Sequence, residues 1–485
     1  MAELRMKMSW LIWLTKKYNS LFAVDEIRQS KRLQAVFLAS WFICLFDLEK
    51  RSTNPSFKKY ATCWAYFENC KDYFPFETLP NSHNYLILNG LILTLLFAAI
   101  WSSIQARWGS AHFFLGLVLI WKFCLNFIVI NSHQTNFELL HLIPSFVLLF
   151  CRNKLFSLRI TWALACLFAA RVKLNEGWIL GSYFTSLRLG LPLIPKPLIP
   201  IVTNAVILGE TILSYGLIAK NNRVRQISLS SWLCFHLYSA TFVGFYYPVR
   251  CLIFLGTIFA FPQYDSSFAK SESKQMSLRS WVAIGLIVFI NFLPSLVSKD
   301  PNLSTEGLDY GFFMINSNYQ CLNSVTTLNS AGAVIKNRKS GSTAAMNRCF
   351  VIDTFQAIKR QCTHLGPGQT ITWSFLQSQN GGPFYEIISE PDACALTFNA
   401  FTPNSWIRIP ADQLIRGYPE KNSTLAPNHI PEIKALPFEL SSSSVFKDNY
   451  NFLLLLYKIV WGLMFFLMIC AGIKIKLPLL RIIKK

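Results

Sequence analysis

Ser280-Trp281-Val282-Ala283-Ile284-Gly285-Leu286-Ile287-Val288-Phe289-Ile290-Asn291-Phe292-Leu293-Pro294-Ser295-Leu296-Val297-Ser298 contains no charged side chain, and Lys299-Asp300-Pro301 ends it abruptly. A helix of about 20 predominantly apolar residues crosses the hydrocarbon core of a bilayer, so the stretch reads as a membrane span. Comparable runs precede it at 33–48, 84–104, 111–130, 137–151, 156–172, 198–219, 226–243 and 248–263, and another follows at 450–474. The chain has 485 residues, 52% of them hydrophobic and 15% charged, against about 25% charged in soluble proteins. The fold expected is an all-α polytopic membrane helix bundle of about 9–10 spans.

A net charge of +21 suggests a nucleic-acid partner only until its distribution is read. The basic residues fall on alternate connections between the runs: Lys7, Lys16, Lys17, Arg28, Lys31 and Arg32 before the first, then Arg107, then Arg152 with Lys154, then Lys220 with Arg223, then Lys270 with Arg279, and Lys476 to Lys485 at the end. This is the positive-inside pattern. It predicts an integral, multi-pass protein with both termini cytosolic, contacting membrane lipid and no nucleic acid. Residues 1–32 are then a cytosolic basic segment, 33–298 the transmembrane domain, 450–474 a tethering helix and 475–485 a cytosolic basic tail. One connection breaks the pattern: Lys50, Arg51, Lys58, Lys59 and Lys71 lie on the outer side.

Residues 299–449 carry twelve basic and twelve acidic side chains and are placed outside, in the periplasm, the extracellular space or a lumen. Short runs such as Thr370–Phe375, Tyr385–Ile388, Ala395–Phe398 and Ser405–Ile409 alternate with Gly/Pro turns, which predicts a β-rich domain. Six cysteines fall in the segments placed outside: Cys63, Cys70, Cys321, Cys349, Cys362 and Cys394. In an oxidising compartment they are candidates for disulfides whose pairing spacing does not determine.

The stretch most suggestive of chemistry is Arg171-Val172-Lys173-Leu174-Asn175-Glu176-Gly177-Trp178-Ile179-Leu180-Gly181, where the fifth run meets the membrane surface. Lys173 is read in two ways. It snorkels to the interface with Trp178 as an aromatic-belt anchor, or it is partly desolvated and serves as a base. His133, in Asn131-Ser132-His133, lies in an outer turn on the same face, and His236 and Glu210 lie inside apolar runs, where ionisable side chains are costly and usually line an interior or a site. Lys122 and Glu210, the deepest charges, suggest an ion pair or a proton path. No metal-ligand spacing, phosphate-binding loop or nucleophile elbow occurs, so no metal is expected.

Val172-Lys173-Leu174-Asn175-Glu176-Gly177-Trp178-Ile179-Leu180-Gly181 resembles the K-L-x-x-x-W-x-x-G signature of the vitamin K-dependent gamma-carboxylase family and its horizontally transferred transmembrane (HTTM) domain relatives. Asn131 and His133 occupy the place of the family's Asn-His pair, with Ser132 between them. Phe235-His236, followed by Gly244 and Pro248, is similar to its F-H…G-x-F-P helix. The resemblance covers roughly residues 30–300 and implies the following. Lys173 is the catalytic base and His133 its catalytic partner. His236, Glu210, Trp178 and Asn131 bind substrate or cofactor. The cofactor is a vitamin K-like hydroquinone, with O2 and CO2 as co-substrates. The activity is that of a carbon–carbon lyase with quinol epoxidase activity, oxidising the hydroquinone to an epoxide while carboxylating the γ-carbon of a glutamate in a secreted or membrane peptide. Ser132 within the pair, and Asn126 where an aspartate occurs in the family, favour the alternative of a non-carboxylating HTTM protein that binds a quinone, lipid or secreted peptide.

Overall fold

A computed structural model describes residues 13–53, 81–128, 135–185, 190–260, 277–298, 301–304, 306–307, 311–312, 317–342, 351–380, 384–399, 401–408 and 444–473. Helices α1 (13–21) and α2 (Val24–Gln29) lead into α3 (Lys31–Thr53), α4 (Asn81–Ile104), α5 (Trp108–Ile128), α6 (Thr135–Phe150) and α7 (Lys154–Arg171). Short helices α8 (Glu176–Ile179) and α9 (Ser182–Thr185) precede α10 (Ile199–Gly216), α11 (Asn222–Phe242), α12 (Tyr246–Phe259), α13 (Leu278–Val297) and α14 (Pro301–Ser304). Strands β1 (Tyr319–Leu328) and β2 (Val334–Ser342), helix α15 (Val351–Cys362), and strands β3 (Thr370–Gln379) and β4 (Phe384–Glu390) follow, and α16 (Ser444–Asp448) and α17 (Tyr450–Ile473) end the described chain.

The protein is therefore mostly helical, with one small antiparallel sheet. Each apolar run read from the sequence carries a helix. Among the described residues, three stretches, Lys196–Gly216, Leu278–Val297 and Tyr450–Ala471, are long and apolar enough by length and composition to cross a membrane.

Helix α7 organises the bundle. Every residue from 157 to 170 is buried, which is the behaviour of a helix apolar on all sides. Helices α6, α10, α12, α13 and α17 pack around it. Trp461 on α17 donates its indole N–H to the Leu167 carbonyl at 2.7 Å, and Phe168 packs edge-on against Phe292 of α13. Helices α10 and α11 approach closely because Gly216 has no side chain: a Cβ there would lie 3.0 Å from the Cβ of Ser228 and closer still to its hydroxyl.

The sheet runs β2-β1-β3-β4, all antiparallel. The runs Thr370–Phe375 and Tyr385–Ile388 are strands, as read. Ala395–Phe398 and Ser405–Arg408 are not: they are irregular chain. Their apolar residues mark a core, not a strand, because Trp406 stacks on Phe355 of α15 at 5.4 Å and Phe398 packs beside both. Strands β1 and β2 escaped the sequence reading because Ser, Thr, Asn and Lys dominate them and leave little hydrophobic alternation. Strand β2 is exposed from Val334 to Ser340 and carries Lys336, Arg338 and Lys339, charges that discourage edge-to-edge pairing.

Cys362, at the end of α15, is disulfide-bonded to Cys394. Cys321 on β1 is also disulfide-bonded, while Cys63, Cys70 and Cys349 lie outside the described residues. Hydrogen bonds tie down the chain between the bundle and the sheet. Glu306 Oε1 accepts the Asn404 backbone N–H at 3.0 Å and its side-chain amide at 2.9 Å. Asn291 Oδ1 on α13 accepts the Phe312 N–H at 2.9 Å.

Candidate functional site

Helix α7 stops at Arg171, and the chain turns through Val172 and Lys173 before Asn175 caps α8 by accepting the Trp178 N–H at 3.2 Å. This turn sends the Lys173 side chain back into the bundle. Its Nζ donates to the Ala169 carbonyl at 3.0 Å, satisfying one of the carbonyls left open at a helix C-terminus and meeting the negative end of the helix dipole. The same nitrogen lies 2.5 Å from Glu210 Oε2 on α10, and the two side chains are only 8% and 6% exposed.

Trp178 presents its ring to Lys173 Nζ at 5.2 Å from the centroid and stacks with Tyr183 at 5.7 Å. With both Lys173 and Trp178 buried, the snorkelling lysine and the aromatic-belt tryptophan are corrected. Nζ is enclosed by Trp178 of α8 and Glu210 of α10, and the charge is met by a carboxylate. Asn204 secures that cover from α10, donating to the carbonyls of Ile179 at 2.8 Å and Pro200 at 2.7 Å.

His236 on α11 is buried, stacked on Trp232 at 5.3 Å, and close enough to Lys173 to feel its charge. Its Nδ1 and the Trp232 indole nitrogen are buried with no hydrogen-bond partner among the described residues. A buried polar atom without a partner costs about 1–3 kcal/mol, so its persistence calls for an explanation such as a catalytic role or a bound water or ion. Tyr247 and Cys251 of α12, hydrogen-bonded to one another, and Cys166 of α7 lie within electrostatic range of Glu210.

The structure thus gathers Lys173, Glu210, His236 and Trp178, four residues expected to act together. His133 and Asn131 lie outside the described residues. Lys122 does not pair with Glu210. Its Nζ lies 3.3 Å from His141 Nδ1, and Ser145 lies 3.3 Å from the other ring nitrogen. Arg171, two residues from the lysine, is held by α13 through the Asn291 carbonyl and the Ser295 hydroxyl, both at 2.9 Å, and by the Phe292 ring.

Sequence reasoning missed Tyr247, Trp232, Cys166 and Cys251, which look like ordinary apolar-helix residues until α12 and α11 are packed. It also missed Asn380. That residue, at the β3–β4 turn with a φ of 52°, exchanges hydrogen bonds with Asn318 at 2.8 and 2.9 Å. Its side-chain nitrogen would lie 2.3 Å from a Cβ placed on Gly177. The sheet therefore rests on the loop that carries Lys173, and Gly177 is the residue that lets it.

No family model, no curated protein and no solved structure matches the chain.

Proposed function

We propose that this chain is a multi-pass membrane protein whose ten long helices cross the bilayer, with both termini cytosolic and residues 299–449 on the opposite side. Within it, Lys173 is the base of a carboxylase-like reaction. The observation that carries this reading is the buried contact between Lys173 and Glu210 beside the unpartnered His236 Nδ1.

At 2.5 Å, one proton on the pair resides on Nζ or on the carboxyl with almost no heavy-atom motion. With the proton on Glu210, Lys173 is a neutral amine and accepts a proton from a substrate hydroxyl. Glu210 is the store that lets this happen without a net charge appearing in a dry site. His236 Nδ1 holds an oxygen of the substrate, and the Trp178 and Trp232 rings offer it flat apolar faces. A hydroquinone bound there would supply the four electrons that reduce dioxygen to the epoxide oxygen and water, and the overall reaction would convert hydroquinone, O2, CO2 and a peptide glutamate to epoxide, γ-carboxyglutamate and water. Burial serves this chemistry because water would quench the strong base it needs. The contact of Asn380 with Gly177 gives a peptide held by the sheet a direct mechanical route to the lysine loop.

The test uses full-length protein with vitamin K-type hydroquinone, oxygen, labelled bicarbonate and a Glu-containing peptide. Epoxide formation and labelled peptide are expected, and Lys173→Ala abolishes both. Absence of epoxide with every quinol tried refutes the reading. A second reading is favoured by one observation: Ala169 O, Glu210 and Trp178 already occupy the Lys173 amine. Here the pair is structural and the protein binds a quinone, lipid or secreted peptide without carboxylating. Quinone binding that persists in Lys173→Met, without turnover in the wild type, selects this reading.

A further inference from the structure

Away from the lysine, three elements meet at the end of the bundle where the sequence concentrates its basic connections. Leu21 and Phe22 close α1, Phe146 and Phe150 end α6, and Leu278 and Val282 begin α13. Together they line a groove of about 350 Å³. Its floor is aromatic: Phe146 and Phe150 are 4.7 Å apart, and Phe22 meets Phe150 edge-on at 6.1 Å. Leu278 is 79% exposed and Val282 53%, an unfavourable arrangement in water and a natural one against acyl chains.

The mouth of the groove is cationic. Arg279 lines it and donates Nη1 to the Leu21 carbonyl at 2.5 Å, which holds the guanidinium at the mouth while its remaining N–H groups are available to a ligand. The backbone of the α6–α7 turn is tied to the start of α13, where the Arg152 carbonyl accepts the Ser280 hydroxyl at 3.0 Å. The acids nearby are already engaged. Glu26 accepts the backbone N–H groups of Asn153 at 3.0 Å and Lys154 at 2.8 Å, and Asp25 pairs with Arg28 at 2.7 Å. An apolar slot opening beneath an arginine matches one chemistry, an acyl chain joined to a phosphate. Guanidinium is the side chain best suited to bind phosphate with paired hydrogen bonds.

We propose that this groove is a binding site for an anionic phospholipid, one acyl chain lying along Phe146, Phe150 and Val282 and the phosphate on Arg279. The lipid fastens α1 to α6 and α13 on the cytosolic side. The site is independent of the Lys173 reaction.

The test is native mass spectrometry of the full chain in a maltoside detergent, titrated with phosphatidylglycerol, phosphatidylcholine or oleate. The wild type is expected to retain one phosphatidylglycerol at least about tenfold more tightly than either competitor, a difference of about 1.4 kcal/mol. Arg279→Gln should erase the preference over phosphatidylcholine. Val282→Trp, which fills the groove from an exposed position, should lose the bound lipid altogether while keeping the wild-type unfolding midpoint. Equal retention of the three ligands by the wild type, unchanged preference in Arg279→Gln, or undiminished lipid in Val282→Trp overturns the proposal.

Discussion

Removing either partner of the Lys173–Glu210 pair should be far more damaging than removing both. The two side chains are almost wholly buried and 2.5 Å apart. Glu210→Gln leaves a cation in the bundle with only the Ala169 carbonyl and the Trp178 face to hold it, and Lys173→Met leaves the carboxylate. A buried pair broken from one side costs about 3–5 kcal/mol, because the surviving charge has lost both water and its partner. The double variant Lys173→Met/Glu210→Gln leaves no buried charge. Its cost is about 1 kcal/mol for the lost hydrogen bond to Ala169, since a buried pair replaced by neutral groups is often nearly neutral in stability. The double variant should therefore lie about 3 kcal/mol or more below the sum of the singles. Guanidinium unfolding of the full chain in micelles, followed by tryptophan fluorescence, reads this as midpoint shifts at constant slope. Single variants that each cost under about 1 kcal/mol, the range of exposed pairs, or penalties that simply add, would refute the argument that burial couples these charges.

Three further outcomes are expected. Gly177→Ala drives a methyl into Asn380, so limited proteolysis of the sheet should speed up; adding Asn380→Gly, which suits the positive φ and removes the amide, should restore protection. Cys394→Ser opens the disulfide that closes a loop of 32 residues, worth about 3–4 kcal/mol by loop entropy, and should expose α15 to hydrogen exchange while leaving the bundle protected. Burial holds the Glu306 carboxyl above its usual range, against the opposing hydrogen bonds from Asn404; a group whose folded value is raised contributes stability below its unfolded value and loses it as pH climbs through the folded one. Hydrogen exchange around residue 404 should therefore quicken as pH rises through that window, once corrected for intrinsic exchange, and Glu306→Gln should flatten the dependence.

Much of the helical layout was legible in the chain itself. Apolar runs report helices reliably because each must bury or present a nonpolar surface along its whole length, and the break at Lys299 marks where that demand ends. Lys173, Trp178, Glu210 and His236 were legible as individuals, since ionisable groups inside apolar runs are conspicuous. The polar strands β1 and β2 were not: β1 is paired on both edges and the exposed edge strand β2 is held by β1, so ladder pairing supports them with little hydrophobic alternation of their own.

What the sequence by itself determined was the set of long helices, the polar segment between α13 and α17, and the residue types available for chemistry. Only the tertiary structure decided who meets whom. Glu210 is 37 positions from Lys173 and 88 from Lys122 in the chain, and nothing in that spacing selects between them. The turn after α7 does, by returning Nζ into the bundle towards α10, while α5 and α6 pair Lys122 with His141 instead. Electrostatic partners are chosen by geometry at the scale of ångströms, and in this protein that geometry is set by how helices pack around α7.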